Sequence, residues 1–166
     1  MLLDELEAEP RITVARLGEC YRRHRLRKNF TREVAEAVAS GSAPLERAGA
    51  WLLVRVAREP GGLAAGDWEI VVDGLGGVRA WTARLQLCQL LARQPELADA
   101  APDAVAAFLR DCATDPQPFV RAWGISAFHQ LGRRQAAHRA EARRWRARGR
   151  QDPAKSVQAR MRRLAE

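Results

Sequence analysis

A short pattern that recurs along this 166-residue chain sets the first limit on its fold. Residues 73–81 and residues 115–123 both read Asp, four variable residues, Val, Arg, Ala and Trp. Residues 152–160 carry a fainter third copy, and Ala50 and Trp51 mark a degenerate member upstream. The three copies begin 42 and 37 residues apart. Periods of this size are typical of supersecondary units that stack on one another.

Each copy predicts a pair of helices, because apolar residues recur at helical spacing on both sides of the pattern. The second helices are predicted from Val78, Trp81, Leu85 and Cys88; from Val120, Trp123, Ala127 and Leu131, ended by Gly132; and from Val157, Met161 and Leu164. Leading helices are predicted over 31–40, 67–72 and 136–148, and from Pro102 with Val105, Phe108, Leu109 and Cys112 on one face. Residues 10–28 predict an N-terminal capping helix. Residues 68–72 also fit a strand, and whether 64–75 is helical stays open.

The Asp-x-x-x-x-Val-Arg pattern resembles a HEAT repeat, the antiparallel helix pair of the armadillo-type α-solenoids. The resemblance covers about residues 29–166 and departs in the last copy, where Gln158 replaces the Arg. It implies an all-α fold: a short right-handed α-solenoid of about four HEAT-type helix pairs, with residues 1–28 as an N-terminal capping helix and 29–166 as the repeat domain. The resemblance implies a binding surface and does not imply a reaction.

The charged and aromatic residues of the pattern predict structural contacts. The Asp of each copy is expected to cap the helix that follows, and the Arg to bridge to the Asp of a neighbouring copy. These residues are Asp73, Arg79, Asp115 and Arg121. Trp51, Trp81 and Trp123 lie on or beside the apolar stripes. We therefore expect them to pack between helices rather than to stack on a base or grip a peptide.

Residues 68–73, Trp-Glu-Ile-Val-Val-Asp, also resemble the W-D-x-V-D segment of the HEAT-like alkylpurine DNA glycosylases. That resemblance implies catalysis by Asp73 and a basic concave surface for DNA. The spacing is one residue longer here, and the repeat already gives Asp73 a role in a turn. A DNA-repair enzyme is therefore the third interpretation of the chain, behind two binding functions.

Other chemistry leaves no signature in the sequence. Cys20, Cys88 and Cys112 are widely spaced, which predicts neither a disulfide framework nor a zinc site. His24, His129 and His138 lack metal-ligand spacing, and no phosphate loop or nucleophile motif occurs. We expect no catalytic residue, no metal and no cofactor. The acidic N-terminus and the absence of an apolar run of about 20 residues predict a cytoplasmic chain without membrane contact.

The formal net charge of +8 is concentrated at the C-terminus. It divides into +2 for residues 1–28, −3 for residues 29–132 and +9 for the terminal unit, residues 133–166. On a helix from Ala136, four arginines at i, i+4, i+7 and i+11 form one stripe. The predicted binding residues, for phosphate or an acidic partner, are Arg139, Arg143, Arg144, Trp145, Arg146, Arg150, Arg160 and Arg163. A second basic run covers residues 22–28.

Three interpretations of the arginine stripe stay open: a phosphate site, a site for an acidic protein, and a solvated face that keeps a terminal repeat soluble. The leading functional hypothesis is a non-enzymatic HEAT-repeat scaffold that binds a protein partner. The alternative is a nucleic-acid-binding protein that holds the phosphate backbone with the stripe. Since no base-reading element is apparent, we expect little sequence preference from such a protein.

Overall fold

The computed structural model describes residues 1–8 and 12–164, and this part of the chain contains ten α-helices and no strand. Helices account for 76% of the structure, which confirms the all-α prediction. The α-helices are α1 (Leu2–Glu7), α2 (Val14–His24), α3 (Phe30–Ala39), α4 (Ala43–Val56), α5 (Ala65–Gly74), α6 (Trp81–Arg93), α7 (Pro102–Ala113), α8 (Pro118–Arg134), α9 (Arg139–Arg150) and α10 (Lys155–Arg162). Short 3-10 turns add Leu75–Gly77, Pro95–Ala98 and Ala136–His138. Residues 68–72 are therefore helical, within α5.

The chain divides into two compact units, Met1–Gln86 and Leu87–Glu166. In the first unit, α3 packs against α4 and α5, and α1 packs against α3 and α4. Phe30, Val34, Leu52, Leu53 and Val71 are fully or almost fully buried in its core. Helix α4 begins with a proline in its first turn, where the missing amide N–H has no helical partner to lose.

In the second unit, α8 is the central helix and packs against α7, α9 and α10. Both α7 and α8 begin at a proline, and the predicted start of α7 at Pro102 is confirmed. The predicted apolar face of α7 is confirmed, because its four side chains are almost fully buried: Val105, Phe108, Leu109 and Cys112. The three cysteines are all buried and unpaired with one another.

The predicted end of α8 at Gly132 is wrong. The helix continues to Arg134, and Gly132 is buried inside it. A Cβ built at this glycine would lie 2.5 Å from the Cβ of Ala142 on α9. Gly132 therefore permits the close approach of α8 and α9. From the local sequence alone, a glycine with this role looks the same as a glycine that ends a helix.

Two expectations for the first copy of the pattern are also wrong. Asp73 lies inside α5 rather than in a turn between helices. Trp81 is the first residue of α6, and it is 45% exposed rather than packed. Val78 is buried in the non-helical segment before α6, so the helical spacing from Val78 to Trp81 does not apply.

The later copies show the predicted link between Asp and Arg. The guanidinium of Arg121 donates two hydrogen bonds to Asp152, at 2.8 and 2.9 Å, so the Arg of the second copy reaches the Asp of the third. Asp115 and Asp152 each accept an N–H from the residue two positions later, Gln117 and Ala154. Each Asp thus closes the turn that leads into the next helix, one step before the helical amides that we expected it to cap.

The contact between Arg121 and Asp152 predicts a pH-dependent stability. The hydrogen bonds from Arg121 hold the pKa of the Asp152 carboxyl below its usual range. A lowered folded-state pKa stabilises the fold at pH values above the unfolded-state pKa of about 4, and this stabilisation is lost as the pH falls through the folded-state pKa. We expect Asp152→Asn to cost about 1 kcal/mol at pH 7, because the amide keeps one acceptor but loses the charge. Urea unfolding at pH 7 and at pH 3 measures this: the difference between wild type and variant should shrink at pH 3, and a constant difference would contradict the assignment.

Of the predicted N-terminal helix, residues 14–24 form α2, with Thr13 accepting an N–H from Arg16 at its start, whereas residues 12, 13 and 25–28 are not helical and Leu2–Glu7 forms the separate helix α1. Residues 10 and 11 of the predicted capping helix lie outside the described residues, as do residues 165 and 166 of the predicted repeat domain. Within residues 1–8 and 12–164, no helix combines the length and apolar composition that a membrane crossing requires.

Candidate functional site

A groove of about 420 Å³ lies between the C-terminal half of α8 and the length of α9. Five arginines line it, together with one histidine and a floor of small residues. The lining residues are His129, Gly132, Arg133, Arg139, Ala142, Arg143, Arg146, Ala147 and Arg150. We call this the arginine groove. No carboxylate is among its lining residues, so its charge is entirely basic.

The geometry of α9 brings the predicted stripe together. Arg139, Arg143, Arg146 and Arg150 all line the arginine groove, as expected of residues at i, i+4, i+7 and i+11 on one helix. The side chains at the floor of the groove are small, because Gly132 on α8 contacts Ala142 on α9. Because Gly132 and Ala142 are buried against each other, the five arginines are the groups that this groove offers to a ligand.

The groove arginines have no carboxylate partner among the described residues. Other arginines of the same unit do: Arg110 pairs with Glu141, and Arg134 pairs with Asp99. Arg146 is the anchored member of the groove, since its Nη2 donates to the backbone oxygen of Leu164 at 2.7 Å. Each like-charged pair at i, i+4 costs a few tenths of a kcal/mol, and a bound anion would remove this cost.

The sequence missed two residues of the arginine groove. Arg133 and the buried His129 come from α8, four residues apart and therefore on one face of that helix. The predicted helix stop at Gly132 placed Arg133 outside α8. For this reason the sequence alone does not place Arg133 on the same helix face as His129. With the helix extended, the i, i+4 spacing of the two residues is the signal that would have found them.

Arg144 and Trp145 lie on another side of α9. They border a separate depression with Glu141 and Arg148. Trp145 donates from Nε1 to Glu141, while two short hydrogen bonds from Arg110 lower the pKa of the Glu141 carboxyl. Arg144 and Trp145, two of the predicted site residues, therefore border this depression and do not line the arginine groove.

Arg160 and Arg163 are separate from the groove as well. Arg160 on α10 lies against the indole of Trp123, with its Cζ 3.6 Å from the ring centroid, and Arg163 is exposed at the C-terminal end of α10. We expected Arg160 to point away from the core stripe. It does leave that stripe, but Trp123 of α8 covers it, so Arg160 is half-buried rather than solvated.

A cluster of potential metal ligands occurs in the first unit. Ligand atoms of Glu5, Cys20 and His24 lie within 4.8 Å of one another. The carboxylate of Glu5 is already shared by His24 at 2.7 Å and Arg23 at 2.9 Å, and Arg27 contacts the other ring nitrogen of His24. The positive charge of these guanidinium groups disfavours a divalent cation here. Glu5 instead accepts hydrogen bonds from the basic side chains around it.

Searches of protein-family models, of curated proteins and of solved structures found no match to this chain. The geometry and charge of the arginine groove are therefore the basis for inferring a function.

Proposed function

We propose that this chain is a non-enzymatic helical-repeat protein that binds the phosphate backbone of nucleic acid in its arginine groove. The observation that carries the proposal is the convergence of five arginines, and no carboxylate, on one groove between α8 and α9. Guanidinium groups match phosphate oxygens with paired hydrogen bonds, and each phosphate contact releases counterions from the nucleic acid.

The shape of the groove favours a backbone over a compact acidic surface. The stripe runs from Arg139 to Arg150, the 12 residues of α9, and these two ends are about 16 Å apart along the helix. A row of positive charges of this length matches several successive phosphates of a nucleic-acid backbone. The lining residues include no Phe, Tyr or Trp, and the one imidazole, that of His129, is buried, so no exposed base-stacking platform accompanies the arginines. The proposal therefore includes low sequence preference.

The same proposal takes the fold to be a short right-handed α-solenoid of about four HEAT-type helix pairs. Two contacts support stacked copies within the second unit. Arg121 of one copy pairs with Asp152 of the next, and Trp123 of one copy lies against Arg160 at the equivalent position of the next. Contacts that join one copy to the next are what a stack of repeats requires.

The salt dependence of binding tests the function. Binding of the full chain to a mixed-sequence oligonucleotide is measured by fluorescence anisotropy over a series of salt concentrations. We expect the logarithm of the association constant to fall linearly with the logarithm of salt concentration. Arg139→Gln combined with Arg143→Gln should reduce the magnitude of the slope by about 2, because two phosphate contacts are lost.

A matched control lies on the same helix. Arg144→Gln combined with Arg148→Gln removes the same charge from α9 but not from the groove. This control should retain most of the wild-type salt dependence of the association constant. An equal loss in both double variants would mean that only total charge matters, and undetectable binding of wild type at low salt would overturn the nucleic-acid function.

A protein-binding scaffold is the second candidate function, and exposed apolar side chains favour it. Phe119 near the start of α8 is 58% exposed, and Trp81 is 45% exposed. Large exposed apolar groups are a common feature of interaction sites. A pull-down from source lysate with and without nuclease separates the two functions. A protein retained after nuclease and lost on Phe119→Asp would support the scaffold, whereas capture that requires nucleic acid supports the groove.

A further inference from the structure

A second group of arginines surrounds Trp123, outside the arginine groove. The Cζ of Arg160 lies 3.6 Å from the centroid of the Trp123 indole, and the Cζ of Arg93 lies 5.3 Å from the same centroid. Arg160 also donates from Nε to Ser126 Oγ at 2.9 Å. The indole thus fixes the plane of the Arg160 guanidinium, and Ser126 fixes its rotation within that plane.

The charge around Arg160 is entirely positive. Burial lowers the pKa of Arg160, and the positive charges of Arg163 and Arg93 lower it further. Among the described residues, no carboxylate forms an ion pair with any of these three arginines. By contrast, the half-buried Arg121 is paired with Asp152. The cluster therefore carries the cost of partial burial and of repulsion between like charges without a compensating anion in the chain.

We propose that Arg93 and Arg160, which both lie against Trp123, form a second anion site together with Arg163, the exposed residue three positions after Arg160, and that this site binds a phosphate group. The site is distinct from the arginine groove, since Trp123 precedes Gly132 by nine residues and so lies about half a rotation away around α8. This proposal does not rest on nucleic-acid binding in the groove.

The chemistry of the cluster favours phosphate as its ligand. Three guanidinium groups supply several N–H donors and a positive charge that one carboxylate would only partly neutralise, whereas a phosphate offers several charged oxygens. The clamp formed by Trp123 and Ser126 orders Arg160 before a ligand arrives. Less conformational freedom is then lost on binding, which favours a small anion that makes few contacts.

The test is an NMR titration of the full chain with sodium phosphate at constant ionic strength. The signals observed are the indole N–H of Trp123 and the Nε–H of Arg160. We expect both to shift and saturate, with a dissociation constant in the low millimolar range. Arg160→Gln should weaken binding at least about tenfold, because hydrogen bonds from a charged donor are lost.

Two further variants keep the result interpretable. Arg163→Gln changes an exposed side chain at the end of α10, so it should weaken phosphate binding several-fold while the melting temperature stays at the wild-type value. Arg162→Gln removes the same charge from an exposed position of α10 and should bind phosphate as wild type does. Shifts that do not saturate, or an equal loss in R162Q and R163Q, would overturn the site.

The groove variant separates this site from the proposed function. Arg143→Gln should leave the phosphate response of Trp123 unchanged even where it weakens oligonucleotide binding. An oligonucleotide with a 5′-phosphate, compared with the same strand without it, identifies the source of the anion. If the Trp123 signal shifts only with the 5′-phosphorylated strand, the site binds phosphate monoesters. If it shifts equally with both strands, the site binds the phosphodiesters of the backbone. Absence of a shift with inorganic phosphate and with both strands overturns the proposal.

Discussion

Glu46→Ala is expected to lower the free energy of unfolding by about 3 kcal/mol, a large fraction of the stability of a chain of this size. Glu46 is completely buried on α4, and its Oε2 accepts the backbone N–H groups of Arg79 at 3.0 Å and Ala80 at 2.8 Å. These amides lie directly before α6, whose first turn offers unpaired donors. Alanine removes the acceptor, leaves a buried N–H without a partner and opens a cavity.

The amide variant separates hydrogen bonding from charge at this site. Glu46→Gln keeps an oxygen that can accept the same two N–H groups, so it should cost about 1 kcal/mol. Chemical denaturation monitored by circular dichroism gives both values. Glu36, a partly exposed residue of α3 that pairs with Arg32, provides the control, and Glu36→Ala should change stability by less than about 0.5 kcal/mol. Equal losses for E46A and E46Q would show that the N–H contacts contribute little.

The sequence predicts those parts of the molecule that depend on spacing along one helix. The buried face of α7 and the arginine stripe of α9 both follow from residues three and four apart, and both are found where the spacing places them. The repeat also links distant residues correctly in one case, since Arg121 reaches Asp152. Positions within a repeat therefore carry some tertiary information.

The remaining features depend on contacts between helices, which the spacing within one helix does not contain. A glycine near the end of an apolar stripe signals a helix stop, yet Gly132 is retained within α8 because α9 passes against it. Glu46 gives no sequence signal at all, because its partners lie 33 and 34 residues further along the chain. Arg160 is polar and falls outside its own apolar stripe, but Trp123 of another helix covers it.

Gly132→Ala is expected to destabilise the second unit by about 2 to 3 kcal/mol, although alanine is the better helix former. The new Cβ would lie 2.5 Å from the Cβ of Ala142 and 3.3 Å from the Cα of Arg139, where carbon atoms normally stand about 3.5 to 4.0 Å apart. Both neighbours are fixed to the backbone of α9, so no side-chain rotation relieves the contact. Helix α9 must move away from α8, and we expect oligonucleotide affinity to fall with stability because Arg139 and Arg143 move away from Arg133.

A second substitution can remove the contact that Gly132→Ala creates. Ala142→Gly alone should cost about 1 kcal/mol, because it places a glycine inside α9. In the double variant with Gly132→Ala, an alanine again faces a glycine across the two helices, as in the wild type. The double variant should therefore lose about 2 kcal/mol less stability than the two single variants lose in sum. Gly149→Ala serves as the comparison, since its new Cβ would meet only side-chain atoms, Met161 Cγ and Sδ at 2.9 Å and Ile125 Cδ1 at 3.0 Å, and it should cost less than Gly132→Ala. Additive single and double variants would contradict a direct contact at Gly132. If coupling in stability is accompanied by recovery of oligonucleotide affinity, the approach of α8 to α9 is what positions the arginine groove.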